Sequence, residues 1–117
     1  MRDKREVLLV DDDANFRAIL GEVLRAEGCT VREAANGREA LQMARAHKPD
    51  LILTDLMMPT MTGWDLCAAL GKNKRLAQVP VAVLSAVART LPCGVLALSK
   101  PVELPELLAL LESVLPA

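Results

Sequence analysis

The sequence predicts an α/β fold, a doubly wound five-stranded parallel sheet, and three observations carry the prediction. Short apolar runs alternate with amphipathic segments along the whole chain. The runs are continuous, as expected of strands buried on both faces, where a half-exposed strand would alternate. No linker or low-complexity stretch interrupts the pattern over 117 residues, so a single domain spanning 1–117 is expected.

The elements follow in order. Val7-Leu8-Leu9-Val10 is the first buried strand. Asp13 can cap a helix in which Phe16, Ile19, Leu20, Val23 and Leu24 recur at helical spacing, and Gly28 supplies its stop. Thr30 to Ala34 alternates and carries charge, which suits an edge strand. Asn36-Gly37-Arg38-Glu39 has capping-box spacing and opens a helix with Ala40, Leu41 and Ala44 inward; Pro49 ends it. Leu51-Ile52-Leu53-Thr54 is the next strand, and Thr62 to Asp65 is a second box, with Leu66 and Leu70 facing the core behind it. Pro80 to Leu84 and Val95 to Leu98 complete the strands. The last helix starts near Glu103, accepts Pro105 in its first turn, and is expected to bury Leu104, Leu107, Leu108, Leu111 and Leu115. Strands alternating with helices pair in parallel through right-handed crossovers, which puts helices on both faces.

Composition narrows the function. A hydrophobic fraction of 52% beside 25% charged residues suits a chain that buries a core and stays in solution. The formal net charge is -1 and aromatic residues make up 2%, which argues against direct nucleic-acid binding. The apolar runs are too short to span a bilayer, no signal peptide opens the chain, and Cys29, Cys67 and Cys93 follow no metal or redox spacing. A reducing, cytoplasmic setting with no membrane contact is expected.

The chemistry gathers at the strand ends. In doubly wound sheets the site lies beyond the carboxyl ends of the strands. Here the first strand ends in Asp11-Asp12-Asp13, the third in Asp55, the fourth in Ser85, and the fifth in Ser99-Lys100-Pro101. Singly, each has a plain reading: an Asp caps a helix, a Ser forms a turn, a Lys is solvated. Together they bring carboxylates, a hydroxyl and a lysine to one edge. Clustered carboxylates repel unless a cation joins them. Oxygen ligands at a half-open site suit Mg²⁺, which keeps several waters. Asp55 could then attack phosphorus to give an aspartyl-phosphate. Phosphoryl transfer asks mainly for alignment and positive charge, which the metal and Lys100 supply, with Ser85 as a hydrogen-bond donor.

These residues closely resemble one family. Val10-Asp11-Asp12-Asp13, Asp55 followed by Met57-Met58-Pro59 and Gly63, Leu84-Ser85-Ala86, and Lys100-Pro101 are similar to the response-regulator receiver domains of two-component signalling, the CheY-like group, over nearly the whole chain. The resemblance implies a flavodoxin-like strand order 2-1-3-4-5. It implies Asp55 as the phosphoacceptor and Asp12 as a direct metal ligand. Asp11 would support the metal, commonly through water, and the Met57 backbone carbonyl would be a further ligand. Ser85 would bond to the phosphoryl oxygen and move when it arrives, Lys100 would pair with the phosphoryl group or with Asp55, and a cis peptide would precede Pro101. Asp13 is expected to remain a cap. The donor implied is a histidine kinase or a histidine phosphotransfer protein, and the output is a contact with an unidentified protein.

Two departures bear on that output. Only ten residues, Ser85 to Gly94, join the fourth and fifth strands, and they include Pro92 and Gly94. A crossover with its helix usually takes at least 10 to 12 residues, so the family's fourth helix is expected to be absent or reduced to about one turn. Ala97 stands where the family often has an aromatic switch residue. Met57 and Val87, both apolar, flank the expected approach of water to an aspartyl-phosphate, which predicts a long-lived phosphoryl state. The alternative is a pseudo-receiver, an interaction module that works without phosphorylation. A turnover phosphohydrolase is disfavoured because the position two beyond Asp55 is Met57, and flavin binding because no phosphate loop follows the first strand. The chain is read as a switch that catalyses only its own phosphorylation and dephosphorylation.

Overall fold

A computed structural model describes residues 5–58, 60–85, 96–99 and 101–115, with the backbone alone described at 85, 96, 97 and 99. The elements are β1 (Glu6–Val10), α1 (Ala14–Ala26), β2 (Thr30–Ala34), α2 (Gly37–Ala46), β3 (Leu51–Asp55), α3 (Gly63–Gly71), β4 (Val81–Ser85), β5 (Leu96–Ser99) and α4 (Leu104–Val114). All strand pairs are parallel and the order is β2-β1-β3-β4-β5, the doubly wound arrangement expected. β2 is an edge, as its charges suggested. The reading of a reduced helix falls on residues 86–95, outside the described ones.

Alternation along the strands divides the core between the two sheet faces. Val7, Leu9, Leu51 and Leu53 pack with Leu20 and Leu24 of α1 and Leu107 and Leu111 of α4. Leu8, Val10 and Ile52 pack on the other side with Ala40 and Leu41 of α2 and Leu66 and Leu70 of α3. Each fully buried Leu or Ile contributes about 1.5–3 kcal/mol relative to exposure.

The helix ends use the expected chemistry, with one change. Asp13 accepts from the amides of Asn15 and Phe16, and Thr62 and Asp65 form a complete capping box. Asn36 caps the Glu39 amide, but the Glu39 carboxylate reaches the Ala35 amide, one residue upstream of the usual box partner. Gly28 follows α1 at φ 92°, the left-handed conformation that favours glycine after a helix. His47 ends α2 and pairs through Nε2 with Glu6 at 2.6 Å, a structural contact at the opposite end of the strands from Asp55.

Two of the apolar positions are placed differently from expectation. Leu104 is 50% exposed and Leu108 only half-buried, because α4 meets the sheet core from Leu107 onward. The first turn has α1 beside it instead, and Leu104 and Ile19, the latter 64% exposed, border a shallow apolar groove with Phe16 and Val23. Cys29 is buried, and burial pushes the half-buried Cys67 thiol above its ordinary pKa; both are thiols outside any disulfide.

Candidate functional site

The three successive aspartates after β1 do three different things. Asp11 is 1% exposed: its amide donates to the Ala34 carbonyl at 3.1 Å, extending the β1–β2 pairing by one residue. Its Oδ1 accepts the Asp13 amide at 2.9 Å. Asp13 turns away to cap α1, which matches the cap expected of it. Asp12, between them, is exposed.

Asp55 closes β3, where its register partner is Leu84 of β4. Its Oδ1 accepts the Leu56 amide at 2.9 Å, and its carbonyl accepts the Thr54 hydroxyl at 2.9 Å. The strand order sets β3 beside β1, so Asp55 faces the aspartates that follow β1. One carboxylate oxygen from each of Asp11, Asp12 and Asp55 lies within 4.8 Å of the others. Unit charges at that separation repel by roughly 3 kcal/mol at an effective dielectric constant of about 20, and by less where water reaches Asp12. An oxygen-only donor set of this charge fits a hard divalent cation.

The loop leaving Asp55 is tightly built. The Gly63 amide donates to the Leu56 carbonyl at 2.8 Å, which draws the start of α3 against the end of β3. Thr60 has φ 72°, an uncommon conformation for a β-branched residue that costs of order 1 kcal/mol. Met57 projects into solvent, 70% exposed, and Met58 is buried in the core.

The remaining predicted site residues are placed through their strands. Ser85 ends β4 opposite Ser99 of β5, at the same sheet edge as Asp55; the Ser85 side chain lies outside the described residues. So do Lys100 and the bond joining it to Pro101. Two residues not singled out from the sequence border the cluster. Arg17 of α1 donates through Nη1 to the Asp11 carbonyl at 2.6 Å and through Nε to Glu33 of β2 at 3.0 Å. The available signal was Arg17, Gly21 and Arg25 at four-residue spacing, opposite an acid in the edge strand.

A parallel sheet in this order, with a carboxylate cluster at the strand ends, is the arrangement expected of a phosphoacceptor-type signalling module. The chain belongs to the response regulator receiver domain family, whose profile matches residues 7–112. It is 39% identical over 116 residues to the transcriptional regulatory protein PdtaR of Mycobacterium tuberculosis, a match covering 92% of this chain and 55% of PdtaR. It is 40% identical over 83 residues to the DNA-binding response regulator MtrA of Mycobacterium leprae, covering 71% of this chain and 36% of MtrA. The chain thus spans about half or less of these two relatives. Among solved structures, chemotaxis protein CheY4 of Vibrio cholerae superposes with a TM-score of 0.86 at 30% identity, over 96% of this chain and 99% of that one. A response regulator from Chloroflexus aurantiacus gives 0.89, also at 30% identity, over 96% and 98%. Receiver domains are the phosphoacceptor switches of two-component systems, and the acidic cluster supplies a place for their metal.

Proposed function

We propose that residues 1–117 act as one receiver unit in which Asp55 is the phosphoacceptor. The observation that carries this is the grouping of Asp11, Asp12 and Asp55, with Asp55 alone closing a central strand. Asp11, Asp12, Asp55 and the Met57 carbonyl would hold Mg²⁺, which when bound would offset most of the cluster's negative charge and offer open positions to phosphoryl oxygens. One Asp55 carboxylate oxygen then gives an electron pair to phosphorus as the bond to the donor breaks. With a phosphohistidine donor, the imidazole nitrogen leaves with the electron pair of the broken P–N bond. Lys100 and Ser85 donate to the equatorial oxygens, where charge accumulates.

The donor is a histidine kinase or a histidine phosphotransfer protein, and the product is read by a protein partner in the cytoplasm. No described helix is long and apolar enough to cross a membrane. The short β4–β5 connection and Ala97 argue that this readout differs from hydroxyl-to-aromatic coupling. Catalysis is confined to the chain's own phosphorylation and dephosphorylation.

Intact-mass spectrometry after incubation with acetyl phosphate tests the reading. A single phosphoryl adduct that forms with Mg²⁺ and not with a chelator is expected. A folded protein that binds Mg²⁺ and forms no adduct would favour the pseudo-receiver. A second prediction concerns lifetime. The Met57 side chain offers no donor and only a weak thioether acceptor to a water approaching the aspartyl-phosphate, so the phosphorylated state should be long-lived. Met57→Glu is expected to shorten its half-life by about 10-fold, below the full range for a well-placed acid or base. Equal decay in both proteins, followed by mass over time, would refute this.

A further inference from the structure

Arg17 is bound into the site without belonging to it. Its side chain is 18% exposed, and its guanidinium serves two elements at once: Nη1 holds the Asp11 carbonyl at 2.6 Å, and Nε holds Glu33 at 3.0 Å. Arg25, two turns further along α1, reaches Glu33 from the other side at 3.4 Å. Gly21 lies between the two arginines, and a Cβ there would come within 3.2 Å of Arg25 and 3.3 Å of Glu33. The network therefore packs closely over a glycine in the middle of the helix.

The carbonyl that Arg17 holds belongs to the peptide joining Asp11 to Asp12. The Asp11 carboxylate has a separate anchor in the Asp13 amide, and its own amide is tied to Ala34. Neither of those two bonds engages the Asp11–Asp12 peptide itself, the link that carries Asp12, the exposed member of the cluster. We infer that Arg17 is a positioning residue for the metal site, fixing that peptide plane so that Asp12 meets the cation beside Asp11 and Asp55. This rests on the metal-dependent reading above. A guanidinium suits the task because its planar fork presents two separate nitrogens, Nη1 to the carbonyl and Nε to the carboxylate, whereas an ammonium must bring both acceptors around one nitrogen on a flexible stem. Outer-shell groups that orient ligands typically govern metal affinity by about 10–100-fold.

The test measures Mg²⁺ affinity directly by titration calorimetry, alongside the rate of adduct formation against Mg²⁺ concentration. Arg17→Met is expected to raise the Mg²⁺ Kd by about 10-fold or more, with the rate largely restored at saturating Mg²⁺. Arg17→Lys should fall between it and wild type. Arg25→Met removes a guanidinium from the same network without touching Asp11, and should leave the Kd unchanged. If Arg17→Met is folded by thermal melting and binds Mg²⁺ as wild type does, the inference is wrong. Should Arg17→Met not fold, a wild-type Kd in Arg17→Lys overturns it equally, and a raised Kd supports it. Wild-type protein that binds Mg²⁺ but takes no phosphoryl group sinks the phosphoacceptor reading while leaving the role of Arg17 to be decided by the variants. Failure of wild type to bind Mg²⁺ overturns both.

Discussion

Asp55→Asn is expected to reduce phosphoryl adduct formation to background while leaving the protein folded. An amide oxygen is a far poorer nucleophile than a carboxylate, and no other group in the cluster closes a central strand. The substitution keeps the local hydrogen bonding, because an Asn carbonyl can accept the Leu56 amide as Asp55 Oδ1 does at 2.9 Å. It also removes one negative charge from three that lie within 4.8 Å. Without Mg²⁺ the variant should therefore match or exceed wild type in thermal stability, by about 1 kcal/mol once solvent screening at Asp12 is allowed for. Adding Mg²⁺ should narrow or reverse that difference, since the cation stabilises whichever form binds it better. Mass spectrometry with acetyl phosphate gives the first result and melts with and without Mg²⁺ the second. An adduct that persists in Asp55→Asn would place the phosphoryl group elsewhere, with Asp12 the first candidate. A variant less stable without Mg²⁺ would mean that Asp55 contributes more through hydrogen bonding than it costs through repulsion.

Most of the fold was readable because burial on both faces leaves a plain mark. Leu8 and Leu9 are adjacent, face opposite sides of the sheet, and are both fully buried, so their run is continuous. The caps were readable for a similar reason: Asp13 and Thr62 act on amides two or three residues away, and local geometry needs no tertiary knowledge. The strand-end rule then brought Asp11, Asp12 and Asp55 to one edge. What could not be read were effects set by neighbours distant in sequence. Asp11 and Asp12 are identical in type, yet Asp11, whose amide pairs with Ala34, is buried and Asp12 is exposed. Leu104 fits the helical period, but its exposure depends on where the sheet core ends beneath α4. Glu33 was one of the charges that marked an edge strand, and nothing in the sequence showed that it joins β2 to two arginines of α1.

Gly63 is the sharpest case of a residue whose role depends on a distant neighbour, and it carries the second large prediction. As the first residue of α3, it lies within a capping box and among the residues that resemble the receiver family, but neither reading shows what occupies the space beside it. Helix propensity alone would favour alanine there by up to about 1 kcal/mol. The structure reverses the sign. A Cβ on Gly63 would lie 2.8 Å from the Asp55 carbonyl oxygen and 3.1 Å from the Leu56 Cα, both backbone atoms that cannot turn aside. The start of α3 would have to retreat, stretching the 2.8 Å bond from the Gly63 amide to the Leu56 carbonyl. Gly63→Ala is expected to cost about 2–3 kcal/mol, the range for overpacking a tight contact, and to lower Tm by roughly 10 °C. Because the displaced atoms adjoin the Asp55 carboxylate, adduct formation should slow as well. Two other glycines calibrate the result. At Gly71, in the last turn of the same helix, a Cβ meets nothing within 4 Å, so Gly71→Ala should be neutral or stabilising. At Gly37 a Cβ would meet the Met61 side chain at 2.8 Å, but that chain can swing away, and the loss should be smaller than at Gly63. A Gly63→Ala protein as stable as wild type would show that the β3–α3 loop has slack, and that the position of Asp55 does not depend on the close approach of α3.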